Sequence, residues 1–298
     1  MPGSFHIENF GCRAARADGE AVGDRLRAAG HCMRQPTEAD VVIVNTCTVT
    51  AEADRSARAY IRRARRLNPE ARILVTGCYA QRAPEEVAAL PGVAAVVGNS
   101  HKALAPEIAL NLIAGSAVQA PDGNGLVQLL APQTALAPAQ PAPAWVDDRF
   151  AHSFLEEAQL TPGEQTRPNL KIQEGCSNRC TFCVIPATRG PSRSLPASAV
   201  LRQVEGFLAA GGREMVLSGI NLGRWGRDLP ASSAEPRTLA ALVAAILRQT
   251  ELPRLRLSSI EPMDWDAALI AQLAEFGGTR LARHAHLPLQ SGSDAVLR

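Results

Sequence analysis

Short apolar, β-branched runs recur through the first third of the chain, each separated from the next by a helix-length stretch or a tight punctuated one. They are VVIVN at 41–45, RILVT at 72–76 and VAAVV at 93–97. Glycine or polar residues bound each run, which is how a strand buried on both faces reads. Between the first two, Ala57, Tyr60, Ile61, Ala64 and Leu67 recur on one face at helical spacing, with arginines opposite. FHIEN at 5–9 adds an opening strand. Strand-then-helix alternation of this kind predicts an α/β fold over residues 1–115, an open parallel sheet with helices on both faces.

Cysteines fall in phase with these strands. Cys47 is the third residue after Val44, Cys78 the third after Val75, and Cys12 follows the opening strand. All three are predicted just beyond the carboxyl ends of parallel strands, where open α/β sheets gather ligands. On position alone, buried small hydrophobes fit these places about as well as ligands do. Cys32 matches no pattern and reads as a core or partly buried thiol.

Residues 116–168 differ. APQTALAPAQPAPAW is rich in proline and alanine without helical or strand period, and reads as a linker with a short strand at GLVQLL. From residue 169 the alternation resumes. LKIQ, EMVLSG, RLRLSS and HAHLPLQ are predicted strands, with helices near 197–210, 238–250 and 265–276. Successive βα units over 169–298 predict a parallel barrel or part of one. The closing SGSDAVLR starts a helix without a stop signal, so the second domain reads as incomplete at its carboxyl end.

With 298 residues, two domains with their own cores are affordable in size. No run of about 18 apolar residues predicts a membrane span. The opening MPGSFHIENFGC has no secretory pattern, so a cytoplasmic location is expected. Thiols stay reduced there, and an odd count of seven cysteines points to ligands or catalysis before disulfides. A net charge of +2 neither demands nor excludes nucleic acid. The arginines at 55, 58, 62, 63, 65 and 66 are explained most simply as a solvated helix face.

The second domain opens on C-x3-C-x2-C: Cys176, Cys180 and Cys183 in QEGCSNRCTFCVIP. Structural zinc wants four ligands, commonly as paired C-x2-C knuckles, and a second knuckle is missing. An iron–sulfur cube held by three thiolates leaves one iron open for chemistry.

That loop resembles the radical S-adenosylmethionine (SAM) superfamily, and its surroundings resemble the methylthiotransferases within it. FGC (10–12), NTCTVT (45–50), VTGCYAQ (75–81) and VVGN (96–99) look like the family's amino-terminal domain. RGPSRS, LSGINLGRWGRDL, LRLSSIEP and HLPLQSGSDAVL look like its radical SAM core. RGPSRS and GINLGRWGRDL are in the style of the branch that acts on N6-threonylcarbamoyladenosine in tRNA. The ribosomal-protein branch shares the cysteine spacing, and a non-catalytic cluster-binding fragment is the rival of another class.

The resemblance implies two 4Fe–4S clusters and SAM as cofactors. Cys176, Cys180 and Cys183 would hold the cluster that binds SAM and releases a 5′-deoxyadenosyl radical. That radical would take hydrogen from C2 of the adenine ring. Cys12, Cys47 and Cys78 would hold an auxiliary cluster that supplies sulfur, and a second SAM would supply the methyl group. Ser218, Gly219, Asn221, Ser258, Ser259 and Gln290 would line the SAM pocket, and Arg189 and Arg193 would touch SAM or substrate. Implied partners are the tRNA anticodon loop, an electron donor such as flavodoxin or ferredoxin, and a sulfur source, with no membrane. Two positions depart from the family: Ala15 stands where asparagine is common, and Ala187 where tyrosine is. The family continues beyond this point through the last barrel strands and a TRAM RNA-binding domain.

Overall fold

The computed structural model describes residues 2–116, 141–150, 155, 167–231 and 235–298. The chain divides into two compact units, Met1–Phe154 with Asn178–Gly190, and Leu155–Ser177 with Pro191–Arg298.

The first unit is built on β1 (Ser4–Asn9), α1 (Arg13–Ala28), β2 (Cys32–Met33), β3 (Val41–Thr46), α2 (Ala51–Leu67) and β4 (Arg72–Gly77). It continues with α3 (Cys78–Arg82), α4 (Pro84–Ala88), β5 (Val93–Gly98), α5 (Ala105–Ile113) and β6 (Ala144–Trp145). The strands form one parallel sheet in the order β2-β1-β3-β4-β5-β6. All six residues of β3 are buried, because both faces are covered. Val42 and Val44 pack with Ile61 and Ala57 of α2 on one face. Val41 and Ile43 pack with Leu26 of α1 and Leu112 of α5 on the other. Each such aliphatic side chain contributes roughly 1.5–3 kcal/mol by leaving water. Helix α2 begins where it does because the Thr50 side chain accepts the Ala53 N–H at 3.1 Å, and Glu52 and Asp54 follow in the first turn.

Two edge strands escaped the sequence reading. Cys32–Met33 and Ala144–Trp145 are two residues each, too short to show any period. The second lies inside the stretch expected to be linker, where Trp145 reaches the core at 6% exposure. Cys32 is exposed on its edge strand, a correction to the expected core or partly buried thiol. The strand expected at GLVQLL lies outside the described residues. The segment 178–190, with the short helix α6 (Ile185–Arg189), packs as part of this unit.

The second unit contains β7 (Asn169–Glu174), β8 (Arg193–Ser194), α7 (Ala197–Ala209), β9 (Glu214–Gly219), α8 (Leu239–Gln249), β10 (Arg254–Leu257), α9 (Ala267–Phe276) and α10 (Asp294–Leu297). Its sheet runs β10-β9-β7-β8, parallel except for the short β8. Thr238 and Asp266 cap α8 and α9 by accepting the N–H groups of Ala241 and Leu269. HAHLPLQ does not form the expected strand. The chain bridges to β10 at Leu281, then leaves the sheet through mostly exposed residues, and Pro288 has no N–H for a ladder. Among the described residues, no helix is long and apolar enough to cross a membrane.

Candidate metal centre

The strand order β2-β1-β3-β4-β5 reverses direction between β1 and β3, which makes that gap the topological switch point of the sheet. Cys12 follows β1 and stands at the N-cap of α1; Cys47 follows β3. Cys78 is the first residue of α3, directly after β4. The backbone is shaped to let them approach. A Cβ on Gly11 would fall 2.6 Å from Cys47 Cβ and 2.9 Å from its Sγ, so only glycine leaves this space. A Cβ on Gly77 would fall 2.4 Å from the Thr46 carbonyl oxygen, which holds the ends of β3 and β4 together.

Side chains lock the two loops. The Thr46 hydroxyl donates to the Thr76 carbonyl at 2.5 Å. Arg82 donates to the Thr48 hydroxyl and to the buried Asp54 carboxylate, each at 2.7 Å. Asn45, fully within the sheet end, donates to Asn9 Oδ1 at 3.0 Å and to the Ala15 carbonyl. A cavity of about 310 Å³, lined by Glu8, Asn9, Phe10, Gly11, Cys12 and Arg16, opens beside Cys12.

Electrostatics ties the three thiols to one another. Burial pushes the Cys47 thiol up, backbone N–H groups of Val49 and Thr48 pull it down, and neighbouring Cys78 and Cys12 push it up further. Thiolates gathered in such a place repel one another unless a cation compensates them. The donors around Cys78 point the same way. Arg189 Nε donates to its sulfur at 3.2 Å and Asn99 Nδ2 at 3.5 Å. A neutral thiol is a weak acceptor, whereas a metal-bound thiolate is matched by such donors. Among the described residues, no three His, Cys, Asp or Glu side chains are grouped to hold one metal ion.

Of the other sequence-predicted residues, Cys176 follows β7 after one intervening residue, Gly175, in the second unit, and Asn221 follows β9, with Asn221 Nδ2 donating to Cys176 Sγ at 3.5 Å. Cys180 and Cys183 lie in the segment that packs with the first unit, where the Cys183 N–H donates to the Cys180 carbonyl at 3.1 Å. Cys180 is exposed, and Cys176 and Cys183 are half-buried. Ser218 is buried at the end of β9, its hydroxyl 3.5 Å from the Leu170 carbonyl, and Gly219 packs against Gln173. Ser258 is buried after β10, while Ser259 is exposed and bonds to His286 Nδ1 at 2.7 Å. Gln290 is exposed, with φ at +63°.

Arg189 was expected at SAM or substrate, and the structure corrects this. Its side chain is wholly buried in the first unit, between Cys78 and the Asp18 carboxylate at 3.1 Å. Arg193 is half-buried in β8. Two further residues went unread in the sequence. Asn99 directly follows β5 and so shares the strand-end phase of the cysteines, a signal that would have found it. Gln173 is buried at the mouth of the cysteine loop. Its amide donates to the Gly175 carbonyl at 2.8 Å and to Ser192 at 2.9 Å, and its oxygen accepts the Asn221 N–H at 2.7 Å. One glutamine thereby fixes the strand end, the loop start and the neighbouring strand end.

Comparison with known proteins agrees with this organisation. Residues 4–98 match the model of the uncharacterized protein family UPF0004, and residues 170–298 match the radical SAM superfamily. The threonylcarbamoyladenosine tRNA methylthiotransferase MtaB of Bacillus subtilis is 35% identical over 297 residues, covering 99% of this chain and 59% of the relative. MtaB of Aquifex aeolicus is 32% identical, covering 98% of this chain and 64% of the relative. The chain thus spans about three fifths of the length of these curated relatives. The solved radical S-adenosylmethionine methyltransferase TsrM from Kitasatospora setae, with cobalamin and a 4Fe–4S cluster bound, shares the fold. It superposes with a TM-score of 0.57 at 16% identity, over 97% of this chain and 59% of that one. The chain thus joins a UPF0004 match to a radical SAM match, and it is similar to MtaB along nearly its whole length.

Proposed function

We propose that this chain carries the catalytic part of a cytoplasmic tRNA-modifying enzyme that methylthiolates C2 of N6-threonylcarbamoyladenosine beside the anticodon. The observation that carries the reading is the triad Cys12, Cys47 and Cys78 after the carboxyl ends of β1, β3 and β4, in a chain that also contains C-x3-C-x2-C after β7. Residues 1–115 are the methylthiotransferase domain, 116–168 the linker and 169–298 the radical SAM core. Cys176, Cys180 and Cys183 hold one 4Fe–4S cluster and Cys12, Cys47 and Cys78 a second. When bound, the first supplies the electron that cleaves SAM, and the second is the source of sulfur.

This chain's own residues do the positioning. Gln173 fixes the start of the cysteine loop, and Asn221 donates to Cys176. Ser218, Gly219, Ser258 and Ser259 stand at or after strand ends of the second unit, and we assign them, with Asn221 and Gln290, to the SAM pocket. Asn99 donates to the Cys78 sulfur, and the backbone of Thr48 and Val49 to that of Cys47. A flavodoxin or ferredoxin and a separate sulfur source complete the partners.

Nucleoside analysis of tRNA from a deletion strain tests the assignment. The methylthio form should vanish and the unmodified N6-threonylcarbamoyladenosine accumulate. Persistence of the methylthio nucleoside in a strain with no second such gene would reject the tRNA substrate, and a ribosomal-protein side chain would be the next to examine.

A further inference from the structure

We infer that Arg189 is a positioning residue for the Cys78 thiolate and sets the reduction potential of whatever cluster the first triad holds. The inference rests on the assignment of that triad to a cluster, and adds a residue that the cysteine pattern does not contain.

Arg189 closes the short helix α6, which ends at Gly190 with φ +71°. Its side chain has no exposure to solvent. A buried guanidinium carries a large desolvation cost, so its partners decide whether it is tolerated. Two are on hand: Nε lies 3.2 Å from Cys78 Sγ, and Nη1 lies 3.1 Å from Asp18 Oδ2. Lys102 Nζ approaches the other oxygen of the same carboxylate at 3.3 Å. Asp18 belongs to α1, the helix that Cys12 begins. Asn99 holds both ends of the contact, donating to Cys78 Sγ at 3.5 Å and to the Thr188 carbonyl at 2.8 Å.

Arg189 and Lys102 both pair with the Asp18 carboxylate, and Arg189 Nε is turned to the Cys78 sulfur. A charge-assisted N–H···S contact stabilises a sulfur more as negative charge builds on it, and reduction of a cluster adds negative charge. Arg189 therefore favours the reduced form and raises the potential. Its contact is made in a water-free place, where neither partner is screened by solvent.

The test uses the whole chain with Cys176, Cys180 and Cys183 replaced by alanine, so that only the first triad can bind iron. Anaerobic reconstitution is followed by iron analysis and by potentiometric titration read by electron paramagnetic resonance. Arg189→Met should move the midpoint to more negative potential, and Arg189→Lys, which keeps the charge but loses the fixed Nε–H, should fall between. An unchanged midpoint in a loaded Arg189→Met protein overturns the inference. If that variant does not fold, as judged by circular dichroism, the lysine variant decides: a midpoint equal to the Arg189 parent's overturns it, and a lower one supports it. A parent protein that takes up no cluster rejects the triad assignment itself, and the inference with it.

Discussion

Gly77 links the fold to the site, and Gly77→Ala has a computable cost. The residue sits at the end of β4 with φ +96° and ψ −161°, a region essentially closed to residues bearing a Cβ. The added carbon would lie 2.4 Å from the Thr46 carbonyl oxygen, 2.7 Å from its nitrogen and 2.8 Å from Asn45 Oδ1. The first two are backbone atoms of the strand with which Gly77 is in register, so relief requires β3 and β4 to part at their ends. Conformational strain contributes about 1–3 kcal/mol and overpacking about 1–3 kcal/mol, giving roughly 2–6 kcal/mol together. Gly30→Ala is the control. Its φ is +88°, but nothing lies within 4 Å of the added carbon. It should therefore show only a backbone term of roughly 1–2 kcal/mol. At roughly 2–4 °C per kcal/mol for a domain of this size, Gly77→Ala lowers the Tm by on the order of 10 °C and Gly30→Ala by a few degrees. Thermal and urea unfolding of the metal-free protein by circular dichroism measures both. Equal losses in the two variants would refute the backbone-contact reasoning, as would full iron uptake by Gly77→Ala.

Further expectations follow from other contacts. Gln173→Leu leaves the Asn221 N–H and the Gly175 carbonyl without their present partners, and should cost roughly 2–4 kcal/mol and open the 175–183 loop to limited proteolysis. Burial pushes the phenols of Tyr60 and Tyr79 above their ordinary value of 10.0, so the unfolded chain ionises first as pH rises. Their contribution is complete below that value and is lost above it, so urea midpoints should fall as pH rises past about 10, less steeply in Tyr60→Phe. Iron and sulfide of the reconstituted chain should approach about eight each, and Cys32→Ser should leave both unchanged because that thiol is exposed and away from either triad in the sequence pattern. A stoichiometry near four in a well-folded sample would remove one cluster.

Much of this was legible before any coordinates. The runs at 41–45, 72–76 and 93–97 are strands because both faces of β3, β4 and β5 are covered, which demands continuous apolar sequence. Burial of Ala57, Ile61 and Ala64 on α2 follows the predicted face. Cysteine phase relative to those strands placed Cys12, Cys47 and Cys78 at one sheet edge. What escaped was either too short or not local. Cys32–Met33 and Ala144–Trp145 pair over two residues, which no period can reveal. HAHLPLQ has strand composition, yet the bridge to β10 comes earlier, at Leu281, and His286 accepts the Ile260 N–H beyond the end of that strand. Arg189 reads as a contact to SAM or substrate from its place beside the cluster loop. Its burial depends on Asp18 and Cys78, and nothing in its sequence neighbours encodes partners that far away.

The central claim is that the two triads do separate jobs, and Cys47→Ala in an enzyme carrying these residues tests it most directly. Cys47 lies in the first unit, 4% exposed, among the backbone donors of Thr48 and Val49. Under the proposed assignment, loss of its sulfur breaks the sulfur-supplying site and leaves Cys176, Cys180 and Cys183 unaltered. As a mere core thiol it would cost roughly 1–3 kcal/mol of stability and leave turnover per folded molecule intact. The measurement is chromatographic: 5′-deoxyadenosine and modified nucleoside from the same reaction, each normalised to folded protein. Separate roles predict that Cys47→Ala still forms 5′-deoxyadenosine from SAM while making no methylthiolated nucleoside. Substantial methylthiolation by the folded variant would contradict the account.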